Sequence, residues 1–215
     1  MDLISIDDFL DDVMPELPGC TEFLAINRLR FAAIEFCRRS LISQETVEEL
    51  DLDQDEPELV ISAPNNSVRV YRIMWIKSPH RTLTPASKQP LTDRSRDWTT
   101  FGTADWPMGY VRLSSDTVHL IPTPSEDKSG VITAHVACIP TREATKLDVI
   151  LIDEYREAIA AGALSRLLNM GKEPWYDPSS AQQYAIDFAS EISNARASVN
   201  KDQLMADTRV QFNKF

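Results

Sequence analysis

The chain has 215 residues, 43% hydrophobic and 26% charged, enough to bury the core of one sizeable domain or two small ones and not a composition of wholesale disorder. Its 33 acidic residues against 22 basic ones leave a net charge of −11, which argues against a conventional DNA- or RNA-binding module but not against a channel through which DNA slides. No apolar run reaches the roughly 20 residues of a membrane span, and the acidic start MDLISIDDFLDD lacks the basic region of a signal peptide, so a soluble product of a cytoplasm is expected.

In chain order, helices are followed by strands and then by helices again, the pattern of an α+β fold. Ser5 is placed as an N-cap, with Asp8 at the capping-box distance and Ile4 able to staple onto Phe9; the short helix ends before Pro15. After the PELPGCTE turn, a helix is predicted from Thr21 to Ser40. Ala25, Leu29, Ala32, Ala33, Phe36 and Cys37 form its apolar stripe, and Ile26, Phe31 and Ile34 broaden it. A stripe of that width implies contact on two sides, either within the chain's own core or partly against a neighbouring subunit.

From Gln44 to Pro140 the apolar period shortens towards two. Val47–Leu52 and Glu58–Ile61 are short strands, Asn65-Asn66-Ser67 is a turn, and Val68–Lys77 is the strongest strand, β-branched and aromatic throughout. Residues 78–106 are rich in Pro, Ser, Thr and Asp and read as a long connection. Tyr110–Leu113 and Thr117–Ile121 form a hairpin about Ser114-Ser115-Asp116. Gly130–Ile139 is apolar on both faces and is expected at the centre of its sheet.

Two helices complete the prediction. One runs from Asp148 to Met170, closes at Gly171, and carries small residues, Ala158, Ala161, Gly162 and Ala163, that suit close packing between subunits. The other is capped by Asp177 with Pro178 first, and its stripe is Ala181, Tyr184, Ala185, Phe188, Ile192, Ala195 and Val199. Lys201–Phe215 loses helical period and is read as an extended tail, suited either to docking on a partner or to fraying as chain ends do.

Chemistry-bearing residues are scattered. Cys20, Cys37 and Cys138 show no metal or redox spacing and read as buried thiols; His80, His119 and His135 form no metal motif, and no nucleophile elbow or Gly-rich phosphate loop occurs. The acidic runs lack Ca²⁺-loop spacing and read as solvated charge. No catalytic, cofactor or metal site is predicted, and the chain is not expected to be an enzyme.

Four stretches, PELPGCTEFLAINRLRFAAIEFCRRSL (15–41), YRIMWIK (71–77), VHLIPTPSED (118–127) and YREAIAAGALSRLLNMGKEPWYDPSSAQQY (155–184), occur in an order that resembles the head-to-tail adaptors of tailed bacteriophages, the head–tail connector or tail tubular protein A-like family. That resemblance implies a structural virion protein, made in the host bacterial cytoplasm and placed at the head–tail junction. It implies a homo-oligomeric, dodecameric ring seated on the portal protein, joining capsid to tail. A downstream tail component (nozzle, stopper or tail-completion protein) would dock below, and genomic DNA would pass through the lumen during ejection without sequence-specific binding; no cofactor or membrane is involved. The implied layout is a helical bundle from residues 1–43 and 146–202, a mainly antiparallel β domain at 44–145, and an extended C-terminal arm at 203–215. Leu204, Met205, Arg209, Val210, Gln211, Phe212 and Phe215 of that arm are the expected portal contacts. Another head or tail completion protein is the alternative, and a small α+β hydrolase with a Cys–His or Ser–His site a more distant one.

Overall fold

The structure, a computed structural model, describes residues 2–87 and 102–207, with side chains as far as Lys201. It is mixed α+β and divides into two compact units, Met1–Ser43 with Ile139–Phe215, and Gln44–Cys138.

The first unit is built around α2 (Glu22–Ser40). Its stripe of Ala25, Leu29, Ala32, Ala33, Phe36 and Cys37 is wholly buried, because residues spaced three and four apart share one helix face. The last i→i−4 bond runs from the Leu41 N–H to the Cys37 carbonyl at 2.9 Å, and the left-handed φ of 59° at Leu41 turns the following chain out of the helix. The N-terminal segment departs from the predicted helix. Leu3–Ser5 is a strand, β1, and a 3-10 turn (Ile6–Phe9), a single α turn, α1 (Leu10–Val13), and a second 3-10 turn (Met14–Glu16) follow. Ser5 does cap this segment, but its hydroxyl accepts from the Asp7 N–H at 3.3 Å, one residue short of the capping box. Ile6, Phe9 and Val13 are buried.

The helix expected over Asp148–Met170 is broken at its start. Lys146–Asp148 is a strand (β11 in chain order) that pairs antiparallel with β1, and the Val149 N–H bonds to the Asp2 carbonyl. One short helix, α3 (Ile150–Asp153), precedes a non-helical Tyr155 (φ −127°, ψ 21°), and α4 then runs over Arg156–Leu167. The break aims the Tyr155 ring at Phe36, centroid to centroid 5.0 Å. Gly171 does not close α4, which ends at Leu167 with Leu168 as its C-cap. The Leu167 carbonyl accepts the Trp175 indole N–H at 3.1 Å, and the Leu168 carbonyl accepts the Asp177 N–H at 2.9 Å. The Leu167 carbonyl also accepts the Met170 N–H at 3.1 Å, so the buried indole is a second donor to a carbonyl at the helix end.

Asp177 caps α5 (Pro178–Asp207) as predicted, its carboxylate accepting from the Ser179 and Ser180 N–H groups. The helix outlasts its predicted end. Residues 203–207, assigned to the extended arm, are helical, and the remainder of that arm, 208–215, lies outside the described residues. α4 packs between α2 and α5, and the closest approach is at Gly162. A β-carbon there would lie 2.7 Å from the Phe188 ring.

The second unit is mainly β. The 13-residue β10 (Lys128–Pro140) is the middle strand of a three-stranded sheet, between β2 (Gln44–Leu52) and β4 (Val68–Lys77), as its two apolar faces predict. Its ladder with β2 is antiparallel and slips between Lys128 and Ala134. Two residues with left-handed φ face each other across the slip, Glu49 at 58° and Gly130 at 67°, and the Gly130 N–H is taken by the Asp51 carboxylate at 2.7 Å.

A four-stranded sheet has the order β3 (Glu58–Val60), β8 (Thr117–Ile121), β7 (Gly109–Arg112), β5 (Thr84–Ala86). The β7–β8 hairpin turns at Ser114-Ser115-Asp116, where the Leu113 N–H meets the Thr117 carbonyl at 2.9 Å. The 78–106 connection is not without secondary structure. It contributes β5, parallel to β7, and β6 (Thr103–Ala104), parallel to β9 (Thr123–Pro124).

Gly162→Ala provides a direct test of the α4–α5 contact. Alanine normally gains about 0.8–1 kcal/mol over glycine inside a helix. Overpacking against a fixed ring costs about 1–3 kcal/mol, so a net loss of roughly 1–2 kcal/mol is expected. Urea unfolding should show a lower midpoint for Gly162→Ala, with much of the loss recovered in Gly162→Ala/Phe188→Leu.

Candidate assembly interface

The small residues expected between subunits are used inside one chain. Ala158, Ala161 and Ala163 are buried by the protein's own helices, and Gly162 carries the Phe188 ring. The close approach that the sequence announces is therefore the α4–α5 contact, which leaves little of these four residues for a neighbour. Of the arm, Leu204 and Met205 fall on the last turns of α5, while Arg209, Val210, Gln211, Phe212 and Phe215 lie outside the described residues.

Exposed apolar side chains mark another surface. On α2, Phe23 is 77% exposed and Phe31 45% exposed, two turns apart on one face, with half-buried Asn27 and Ile34 alongside. This face turns away from the buried stripe. The sequence pattern read Phe31 and Ile34 as broadening the apolar stripe, whereas Phe31 stands exposed; Phe23 escaped, because a single aromatic in a first turn adds no periodicity. Ile186 on α5 and Tyr176 in the turn before it are also exposed.

Charged side chains on the helices form the ion pairs Arg166–Glu35, Arg39–Glu35 and Arg156–Asp12. Arg166 of α4 reaches Glu35 of α2 at 2.5 Å, donates to the Gly162 carbonyl, and lies over the Phe188 ring at 5.5 Å, while Glu35 also holds Arg39 at 3.0 Å. Arg156 links α4 to the N-terminal segment through the Asp12 carboxylate and the Asp8 carbonyl. Such partly exposed pairs contribute at most about 1 kcal/mol each; their value is to orient helices that apolar packing already holds.

In the second unit, His135 offers the nearest approach to a reactive pair. Its Nδ1 lies 3.1 Å from Thr46 Oγ1, its Nε2 lies 2.8 Å from Gln44 Oε1, and the ring stacks on Trp75 at 5.2 Å. Thr46 is the residue opposite His135 in the β2–β10 ladder. The hydroxyl is thus a threonine fixed by strand register, not the cysteine or serine of a hydrolase site, and the arrangement is a cross-strand polar pair under an indole. Cys20, Cys37 and Cys138 are buried and not in disulfides. Among the described residues, no three His, Cys, Asp or Glu side chains are placed to hold a metal ion, and no helix is long and apolar enough to cross a membrane.

Compared with known proteins, residues 4–211 match the family model described as SU10 adaptor protein. No curated protein matches the chain.

Burial pushes both His119 and His135 below the ordinary histidine pKa, with Glu58 and Glu45 respectively opposing the shift. In the unfolded chain both return to about 6.5. As pH falls below 6.5 the unfolded state therefore takes up protons first, and stability, complete above that value, declines. Urea midpoints should fall between pH 7.5 and 5.5, above the range where carboxylates titrate. The slope should flatten in His119→Gln/His135→Gln, and an unchanged slope would rule out this linkage.

Proposed function

We propose a role that starts from one fact: this chain belongs to the SU10 adaptor protein family. It is accordingly a phage adaptor, a structural component of the virion. In our reading, copies of the chain close a twelve-fold ring that seats on the portal, joins capsid to tail, and surrounds the path of the genome. The observation that carries this reading is the family match, which covers residues 4–211 in one piece.

The physical features agree with such a role. The exposed Phe23–Phe31 face of α2 gives a ring-forming neighbour an apolar contact that a lone subunit leaves in water. Apolar residues of the trailing segment, Val210, Phe212 and Phe215, with Arg209 and Gln211 flanking Val210, suit insertion into a portal groove, with Leu204 and Met205 adjoining. A net charge of −11 repeated around a ring disfavours adhesion of passing duplex DNA. The β-rich unit is then the surface offered to the next tail component, and synthesis takes place in the host cytoplasm.

Negative-stain imaging of the chain mixed with its portal should reveal rings of twelve copies on one portal face, and mass spectrometry of purified virions should find the chain. Absence from the virion would overturn the reading. Replacing both aromatics in Phe23→Ser/Phe31→Ser should weaken ring closure at least tenfold, since buried interface aromatics commonly contribute more than about 1 kcal/mol each. Removing residues 208–215 should abolish portal binding while leaving thermal unfolding unchanged.

A further inference from the structure

The short strand β3 has one side committed to β8 and, among the described residues, no strand on the other. The Leu120 N–H donates to the Pro57 carbonyl and the Ile61 N–H to the Asp116 carbonyl, each at 2.7 Å, on either side of the Leu59–Val118 pair. In an antiparallel ladder, alternate residues turn their backbone groups to opposite sides. Pro57, Leu59 and Ile61 therefore face β8, and the N–H and C=O of Glu58 and Val60 face outward. β3 is the end strand of its sheet, and the Val60 side chain is 57% exposed.

Beside this edge lies a cleft of about 260 Å³, bounded on its other side by the end of β2. Leucines, Leu50 and Leu120 among them, form its floor. Four carboxylates, Asp51, Asp53, Glu56 and Glu58, line it, and among the described residues no lysine or arginine does. Free strand edges invite pairing, and charge decides with what. The acidic rim disfavours pairing with the same edge of a second copy and with the acidic body of this chain generally. An extended segment that alternates basic and apolar residues meets all three features: hydrogen bonds along β3, a leucine floor for one face, and carboxylates for the other.

We propose that the β3 edge and its acidic cleft bind a basic, extended segment of another virion protein by strand addition. The identity of the partner as a virion component rests on the adaptor reading; the chemistry of the site does not.

Val60→Pro tests the site selectively. It deletes an outward N–H that the β3–β8 ladder does not use, and proline is tolerated on a strand edge with its nitrogen outward. Anisotropy with the full chain would use two labelled heptapeptides, Lys-Val-Lys-Val-Lys-Val-Lys and its Glu-for-Lys counterpart. The basic probe should bind at least tenfold more tightly than the acidic one, and Val60→Pro should weaken it tenfold or more. Asp53→Lys/Glu58→Lys, which leaves every backbone donor in place, should reverse the preference between the probes. Equal binding of both probes, indifference to Val60→Pro in a chain that still unfolds normally, or tighter binding of the chain's own Thr208–Phe215 peptide would each overturn the proposal. Portal docking is scored separately. Its loss in the unmodified chain with probe binding intact would count against the adaptor role alone, whereas normal docking without probe binding would count against this site alone.

Discussion

Phe188 occupies the space where any residue but glycine at position 162 would place its β-carbon. That one intrusion sets how close α5 lies to α4, and much of the first unit follows from it. Phe188 comes within 6.0 Å of Phe36, Phe36 within 5.0 Å of Tyr155, and the three rings close the space between α2, α4 and α5. Interiors this dense respond to a change of one methyl group, because neither the ring nor the backbone has room to yield. Arg166 lies on the same seam, touching the Gly162 carbonyl, the Phe188 ring and Glu35 at once. Apolar contact sets the spacing, and the charged side chain fixes the rotation of the helices about it.

The second unit depends on a different device. β10 is long enough to run through a sheet, yet the opposed left-handed residues Glu49 and Gly130 offset its pairing with β2. Pairing partners β2 and β4 fill its two sides, and in the neighbouring four-stranded sheet the ends of the strand order fall to the short strands β3 and β5. Short edges limit unwanted pairing, but a three-residue edge with outward backbone groups still presents a template.

Long elements with strong period were legible in the sequence. α2 starts and ends within a residue of its prediction, β4 matches at both ends, and β10 is central as its two apolar faces required. The failures have local causes. β1 and β11 are three residues each, too short to show a period of two, and they exist because each supplies the other's hydrogen bonds. The expected helix over 148–170 lost its first turns to that pairing and to the Tyr155–Phe36 contact, a tertiary demand that outweighs propensity. Gly171, a good helix terminator by type, was not needed because the carbonyls at the end of α4 are taken by Met170, Trp175 and Asp177. For the assembly surface, small residues were readable as a site of close approach, but sequence could not say whether the approaching helix belonged to the same chain. Phe23 was invisible for the opposite reason, since an unburied aromatic leaves no pattern.

The Ser43 hydroxyl donates to the Asp148 carboxylate at 2.6 Å, and both residues are buried. Ser43 is where the chain leaves the first unit, and Asp148 lies just after it has come back. A clasp at that place means the departing and returning strands of chain are anchored side by side, whatever is spliced between them. The intervening cassette of ninety-five residues, 44 to 138, is then free to diverge, lengthen or be exchanged without disturbing the helices it interrupts.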